Sequence, residues 1–143
     1  MNSSPVIPPV PPATPEDIQA IIETAQDYAE GWFTANAERM RRCLHPDLVK
    51  RSIWHDQKND KWNVRRTLTA EIMVEYTREG GGSEHPAHEK VFDVEVLDVF
   101  LHIATVKVLS YPYMDYLHIA KMDGRWQIVH CLYALREGVE TEP

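Results

Sequence analysis

The chain has little cysteine: Cys43 and Cys131 are the only two in 143 residues. They are far apart and show no metal-binding or redox spacing. That argues against a disulfide framework and makes a reduced, cytoplasmic setting the expectation. Positive charge is also in deficit, with 15 Lys and Arg against 22 Asp and Glu and a formal net charge of −7. A nucleic-acid partner needs a basic stripe, so none is expected. The densest basic runs, Arg39-Met40-Arg41-Arg42 and Arg65-Arg66, sit among acidic residues and read as solvated faces. Long apolar runs are missing: nothing approaches the ~20 residues of a membrane span. Residues 1–13 lack the charged start and apolar core of a signal peptide. Half of the 6 glycines stand together at Gly80-Gly81-Gly82. A phosphate-cradling loop would need a strand before and a helix after them, so they read as a linker. No Gly-x-Ser-x-Gly elbow supports nucleophilic hydrolysis. His85-Pro86-Ala87-His88-Glu89 offers ligand-type atoms, but no second cluster completes a set, so neither a metal nor a cofactor is expected.

What is present organises into one domain. Apolar residues make up 43% of the chain, enough to build a core at this length. Residues 1–13 are proline-rich and read as an extended tail, with a PxxP docking motif as the alternative. The domain spans 14–136, and 137–143 form a second tail. Thr14 is a capping residue, Pro15 suits the first helical position, and Glu16 and Asp17 complement the positive helix end. Ile18, Ile21, Ile22, Ala25, Tyr28, Ala29, Trp32 and Phe33 then recur at helical spacing and give one wide apolar face. Asn36 caps a short second helix that His45-Pro46-Asp47 terminates. Residues 48–54 read as a short strand and 56–63 as a polar loop. A third helix opens at Thr69 and carries Ile72, Met73 and Tyr76.

From Val91 to Tyr133 the pattern changes to four strands in succession. Asp123-Gly124 is the strongest short hairpin signal among them, because both residues tolerate positive φ. Alternation places Ala104, Val106 and Val108 inside, and then Tyr113, Asp115, Leu117 and Ile119. In the last strand it places Trp126, Ile128, His130 and Leu132 inside, and Gln127, Val129, Cys131 and Tyr133 outside. The last two strands are apolar on both faces, so something is expected to cover the outer one.

Helices followed by this meander resemble the nuclear-transport-factor-2-like superfamily over roughly residues 16–135. The carriers are Tyr28-Ala29-Glu30-Gly31-Trp32, Asn36, His45-Pro46-Asp47, Phe92-Asp93-Val94-Glu95-Val96, Ala104-Thr105-Val106-Lys107-Val108, Tyr113-Met114-Asp115-Tyr116-Leu117-His118-Ile119 and Asp123-Gly124-Arg125-Trp126-Gln127-Ile128-Val129. Within the superfamily the chain looks most like the group labelled putative lumazine-binding. The resemblance implies an α+β, cystatin-like cone whose N-terminal helices pack on a curved antiparallel sheet and enclose a pocket. It also implies relatives of two kinds, isomerases, dehydratases and cyclases on one side and non-catalytic binding modules on the other, so fold leaves function open.

Asp115 and His130 share the expected inner face of adjacent strands. A carboxylate beside an imidazole can make a general base, with Tyr28, Tyr76 or Tyr113 as hydrogen-bond donor. The competing reading is a structural pair satisfying two buried polar groups. The acid that the isomerases carry on the early strand has no counterpart here, where Ser52 and Trp54 stand instead. Tyr28, Trp32, Trp54, Tyr76 and Tyr113 are expected to line the pocket, as core or as wall. The sequence therefore supports a small-molecule-binding domain with an apolar or aromatic ligand. A cofactor-independent lyase, isomerase or cyclase using Asp115 and His130 is the alternative, and an interaction module using the outer sheet face is a third. An apolar outer face larger than a monomer usually tolerates predicts a homodimer through it.

Overall fold

A computed structural model of the chain describes residues 6–136. Helix α1 spans Pro15–Phe33, α2 Ala37–Cys43 and α3 Ala70–Arg78. Six strands run β1 Leu44–Asp56, β2 Lys61–Leu68, β3 Phe92–Phe100, β4 Ile103–Ser110, β5 Tyr113–Met122 and β6 Arg125–Leu135. They form one sheet in the order β2-β1-β6-β5-β4-β3. The chain is thus an α+β fold of three helices packed against a curved sheet. The last four strands make the expected antiparallel meander, whereas β1 joins β6 in parallel and renders the sheet mixed.

The helix starts follow the caps read from the sequence. The Thr14 side chain accepts from the Asp17 backbone N–H while the Asp17 carboxylate accepts from the Thr14 N–H, a reciprocal box with Pro15 next to it. Asn36 and Thr69 cap α2 and α3 through the Arg39 and Ile72 N–H groups. Asp27 on α1 binds Arg39 and Arg42 on α2 at 2.8–3.0 Å. Burial would raise the Asp27 carboxyl, but the hydrogen bonds from Arg42 and Arg39 outweigh it and hold the group below its ordinary value. Asp17 ties α1 to the β5–β6 hairpin by accepting from Trp126 Nε1 at 3.0 Å and Lys121 Nζ at 2.9 Å. The hairpin turns at Asp123 and Gly124 with φ of 52° and 78°, as the Asp-Gly pair requires.

Two further expectations change. Residues 56–63 are not simply a loop: β2 begins at Lys61 and pairs antiparallel with a 13-residue β1. β2 is an edge strand whose first four residues, Lys61 to Val64, are all exposed, so its start carries no inside-outside pattern. The second change concerns β6. His118 pairs with His130, but Ile119 pairs with Ile128, so Val129 is an extra residue in β6. Such a bulge shifts the alternation by one. Trp126 and Ile128 point inward as expected; beyond the bulge Cys131 and Tyr133 are the buried residues, while His130 and Leu132 are exposed. A second bulge at Leu97 of β3, against Val106–Thr105 of β4, bends the opposite end of the sheet.

The core lies between the sheet's concave face and the helices. Ile21, Met40, Leu48, Met73, Leu117 and Ile128 are fully or almost fully buried there. Their packing leaves one end of the cone open between α1, α3 and the strands, and the candidate site lies in that end.

Candidate functional site

Helix α1 delivers Tyr28 and, one turn further on, Trp32 and Phe33 to the open end of the cone. From α3 come Met73 and Tyr76, from β4 Val108 and Ser110, from β5 Tyr113 and Asp115, and from β6 Tyr133. Together with Lys50 of β1 and Leu68 of β2 they enclose a cavity of about 320 Å³. Tyr28, Phe33, Met73, Val108, Asp115 and Tyr133 are buried and make its floor, while Tyr76, Glu79 and Glu84 are exposed and stand at its rim. An apolar, aromatic cavity with a few convergent polar groups is the usual form of a small-molecule site.

Four polar side chains meet on the floor. Lys50 Nζ donates to Tyr28 Oη at 2.5 Å. Tyr28 Oη donates in turn to Asp115 Oδ2 at 2.8 Å, and Cys131 Sγ donates to the same oxygen at 3.3 Å. Asp115 is buried there, 5% exposed. The Lys50 ammonium also stands over two rings, 5.0 Å from the centre of Tyr28 and 4.6 Å from that of Tyr133. Burial, and then the facing Asp115 carboxylate, push the Tyr28 hydroxyl well above its ordinary pKa. Burial followed by Asp115 likewise pushes the Cys131 thiol up, so both keep their protons near neutral pH. The arrangement is a hydrogen-bonded chain, ammonium to phenol to carboxylate, inside an apolar cavity.

Of the residues singled out in the sequence, Tyr28, Trp32, Tyr76, Tyr113 and Asp115 come together around this cavity. His130 does not. The Val129 bulge turns it to the outer face, where its ring lies 5.7 Å from that of His118. The Asp115–His130 pair is therefore not formed, and Asp115 stands opposite Tyr133 instead. Trp54 is also elsewhere: β1 runs past the cavity, and Trp54 is half-exposed beneath the Arg65 guanidinium. Lys50, Cys131, Tyr133 and His85 were missed. The first three follow once the bulge and the β1–β6 pairing are known, since Lys50 aligns with Cys131 in that pairing. His85 lies edge-on between Phe33 and Tyr113, at 6.1 and 6.0 Å, and pairs with Glu89 at 3.1 Å. No three His, Cys, Asp or Glu side chains converge to hold a metal among the described residues.

The glycine run proves to be part of the wall. Gly81 and Gly82 lie against the Trp32 indole, and a Cβ on Gly82 would stand 2.4 Å from the Trp32 carbonyl oxygen. Only glycine permits that approach. It covers Trp32 Nε1, which is buried without a hydrogen-bond partner.

A helix-and-curved-sheet cone with a cavity at its open end defines the cystatin-like class of α+β domains. Residues 16–134 match the family described as "Putative lumazine-binding", and the chain belongs to that family. Solved structures agree on the fold. A cystatin-like protein of unknown function from Nostoc punctiforme is 10% identical with a TM-score of 0.64, covering 88% of this chain and 96% of its own. An NTF-2-like protein of unknown function from Silicibacter pomeroyi is 16% identical with a TM-score of 0.62, covering 85% and 97%. A ketosteroid isomerase-like protein from Erwinia carotovora atroseptica is 15% identical with a TM-score of 0.54, covering 85% and 98%. No curated protein matches the chain. No helix of the described residues is long and apolar enough to cross a membrane.

Proposed function

We propose that the chain binds a small apolar or aromatic molecule in the cone cavity and directs an oxygen of that molecule to Lys50. The observation that carries this reading is the combination of aromatic walls, about 320 Å³ of space and one half-buried ammonium on the floor. Lys50 spends one proton on Tyr28 and holds its others for a ligand. A flat heteroaromatic carrying carbonyl groups, such as the lumazine of the family's description, has this chemistry. Native mass spectrometry of the purified protein is expected to show a co-purified small molecule, which Lys50→Met releases. A protein that stays empty and takes up no aromatic ligand would overturn the reading.

The second reading is a cofactor-independent lyase, isomerase or cyclase. It is favoured by one observation, the Asp115 carboxylate beneath Tyr28 at 2.8 Å. In this reading Asp115 acts without His130, whose exposed position removes it from the reacting groups. Asp115→Asn would then abolish turnover while leaving ligand binding in place.

We also propose a homodimer through the outer sheet face. Tyr116 and Leu132 are direct cross-strand partners there, 47% and 51% exposed, and Ile103 is exposed further along the same face on β4. The described helices lie on the other face, and a two-fold copy is the commonest cover for such a surface. The two cysteines are free and buried, which supports a reducing, cytoplasmic setting.

A further inference from the structure

The cavity leaves one pair of metal-binding side chains unused, on the opposite face of the sheet. His118 of β5 and His130 of β6 are direct cross-strand partners there, both exposed, with ring centres 5.7 Å apart. Neither imidazole has a hydrogen bond or an ion pair among the described residues. A neutral imidazole carries one nitrogen lone pair that can bind a metal ion. At the ~2 Å length of a zinc–nitrogen bond, two imidazoles on one tetrahedral ion hold their ring centres roughly 5–6 Å apart. The spacing of this pair matches that arrangement. Rotating two exposed rings onto one ion breaks no hydrogen bond within the described residues.

The pair supplies two ligands, and a closed tetrahedral site takes four. No third His, Cys, Asp or Glu of the same chain converges on it among the described residues. Its place in the sheet can supply the rest. β5 and β6 are the two central strands of six, and each histidine lies midway along its strand. A two-fold axis through the middle of this face therefore sets the pair against its own copy, because an isologous contact repeats one patch on both sides. Facing sheets pack about 10 Å apart, which puts the plane midway between them within reach of an imidazole from either side. Tyr116 and Leu132, the next outward-facing cross-strand pair, surround the site with apolar surface. We propose that His118 and His130 of two copies together bind one divalent transition-metal ion of the kind that imidazole nitrogen holds, for which zinc is the probe. This rests on the reading that the outer sheet face forms the homodimer. Metal binding and pairing of the copies then strengthen each other by the same factor.

The test uses the full chain, stripped with EDTA and dialysed, in a dilution series followed by sedimentation velocity with and without zinc sulfate. Zinc is expected to lower the dimer dissociation constant about tenfold or more, and native mass spectrometry to find one zinc per two chains. His118→Gln and His130→Gln are each expected to remove the effect of zinc. Both positions are exposed, so neither replacement disturbs the core. Tyr116→Asp, which weakens the pairing without touching a ligand, is expected to weaken zinc binding as well. A dimer that binds no zinc and pairs equally well in EDTA would overturn the metal site and leave the dimer reading standing. One zinc per chain on a monomer would overturn the shared site. Zinc-tightened pairing that both glutamine variants retain would put the ion on other side chains and overturn the assignment to this pair. A monomer under both conditions removes the dimer, and the metal site falls with it.

Discussion

Asp17 shows how much one carboxylate can hold. It accepts from the Thr14 backbone, from Trp126 Nε1 and from Lys121 Nζ, and so joins the start of α1 to the β5–β6 hairpin. The Thr14 backbone bond is the largest cause of its lowered pKa, followed by the Trp126 and Lys121 bonds. A depressed carboxyl contributes stability that is present above its unfolded value, near pH ~4, and is lost as pH falls toward the folded value. Thermal melts of Asp17→Asn are expected to show a lower midpoint than the parent at pH 7 and a smaller difference in strong acid. Equal differences at both pH values would mean that shape rather than charge is what Asp17 supplies. Asp115 is the opposite case, a buried acceptor whose partners are themselves buried. Asp115→Ala leaves the Tyr28 hydroxyl and the Cys131 thiol without their acceptor, an expected cost of about 1–3 kcal/mol in urea unfolding.

The element that sets the site is β6, and within it the bulge at Val129. The extra residue allows Ile128 and Cys131 both to face the core, although three positions separate them. Deleting Val129 removes the extra residue and leaves Ile128, Cys131 and Tyr133 inward in simple alternation, with His130 and Leu132 still outward. That variant is therefore expected to keep a cooperative melt and the cavity floor, losing only the local bend of the bulge. A variant that loses its cooperative melt would show that the bend itself is needed for the sheet to close on the helices. The glycine wall behaves as a second element-scale constraint. A Cβ at Gly82 meets the Trp32 carbonyl oxygen at 2.4 Å, and backbone cannot swing aside as a side-chain tip can. Gly82→Ala is expected to destabilise by about 1–3 kcal/mol and to shift Trp32 fluorescence, since it overpacks that wall.

At the scale of the whole molecule, two surfaces have expected behaviours. The proline-rich 1–13 stretch, of which 6–13 is described and has no regular structure, is expected to be dispensable. Its removal should leave the melting temperature nearly unchanged, because ordering it returns little burial against the entropy cost. A fall of many degrees would show that it packs as part of the fold. The outer sheet face is the other surface. Light scattering at micromolar concentration is expected to report twice the chain mass, and Tyr116→Asp to shift the protein toward monomer by placing a charge beside Leu132. A soluble monomer in the parent chain would sink the dimer.

Local chemistry made much of this fold legible. Caps at Thr14, Asn36 and Thr69, the period of α1 and the turn at Asp123-Gly124 each depend on a few neighbouring residues, and each reads directly from their order. The inner faces of β4 and β5 were legible for the same reason, because uninterrupted strands keep a period of two. So were Tyr28, Trp32, Tyr76, Tyr113 and Asp115 as neighbours of one cavity. The remaining features depend on contacts between segments distant in the chain. A bulge is defined by the residues opposite it, so Val129 carries no mark in its own strand, and His130 was placed on the wrong face. Residues Lys61 to Val64 of the edge strand β2 are all exposed and hence carry no pattern. Lys50 enters the site only through the parallel pairing of β1 with β6, which joins residues about 80 positions apart in register. The sequence by itself determined where the helices and the last four strands begin, and only the tertiary structure decided which polar groups share the cavity floor, because register is a property of pairs of strands.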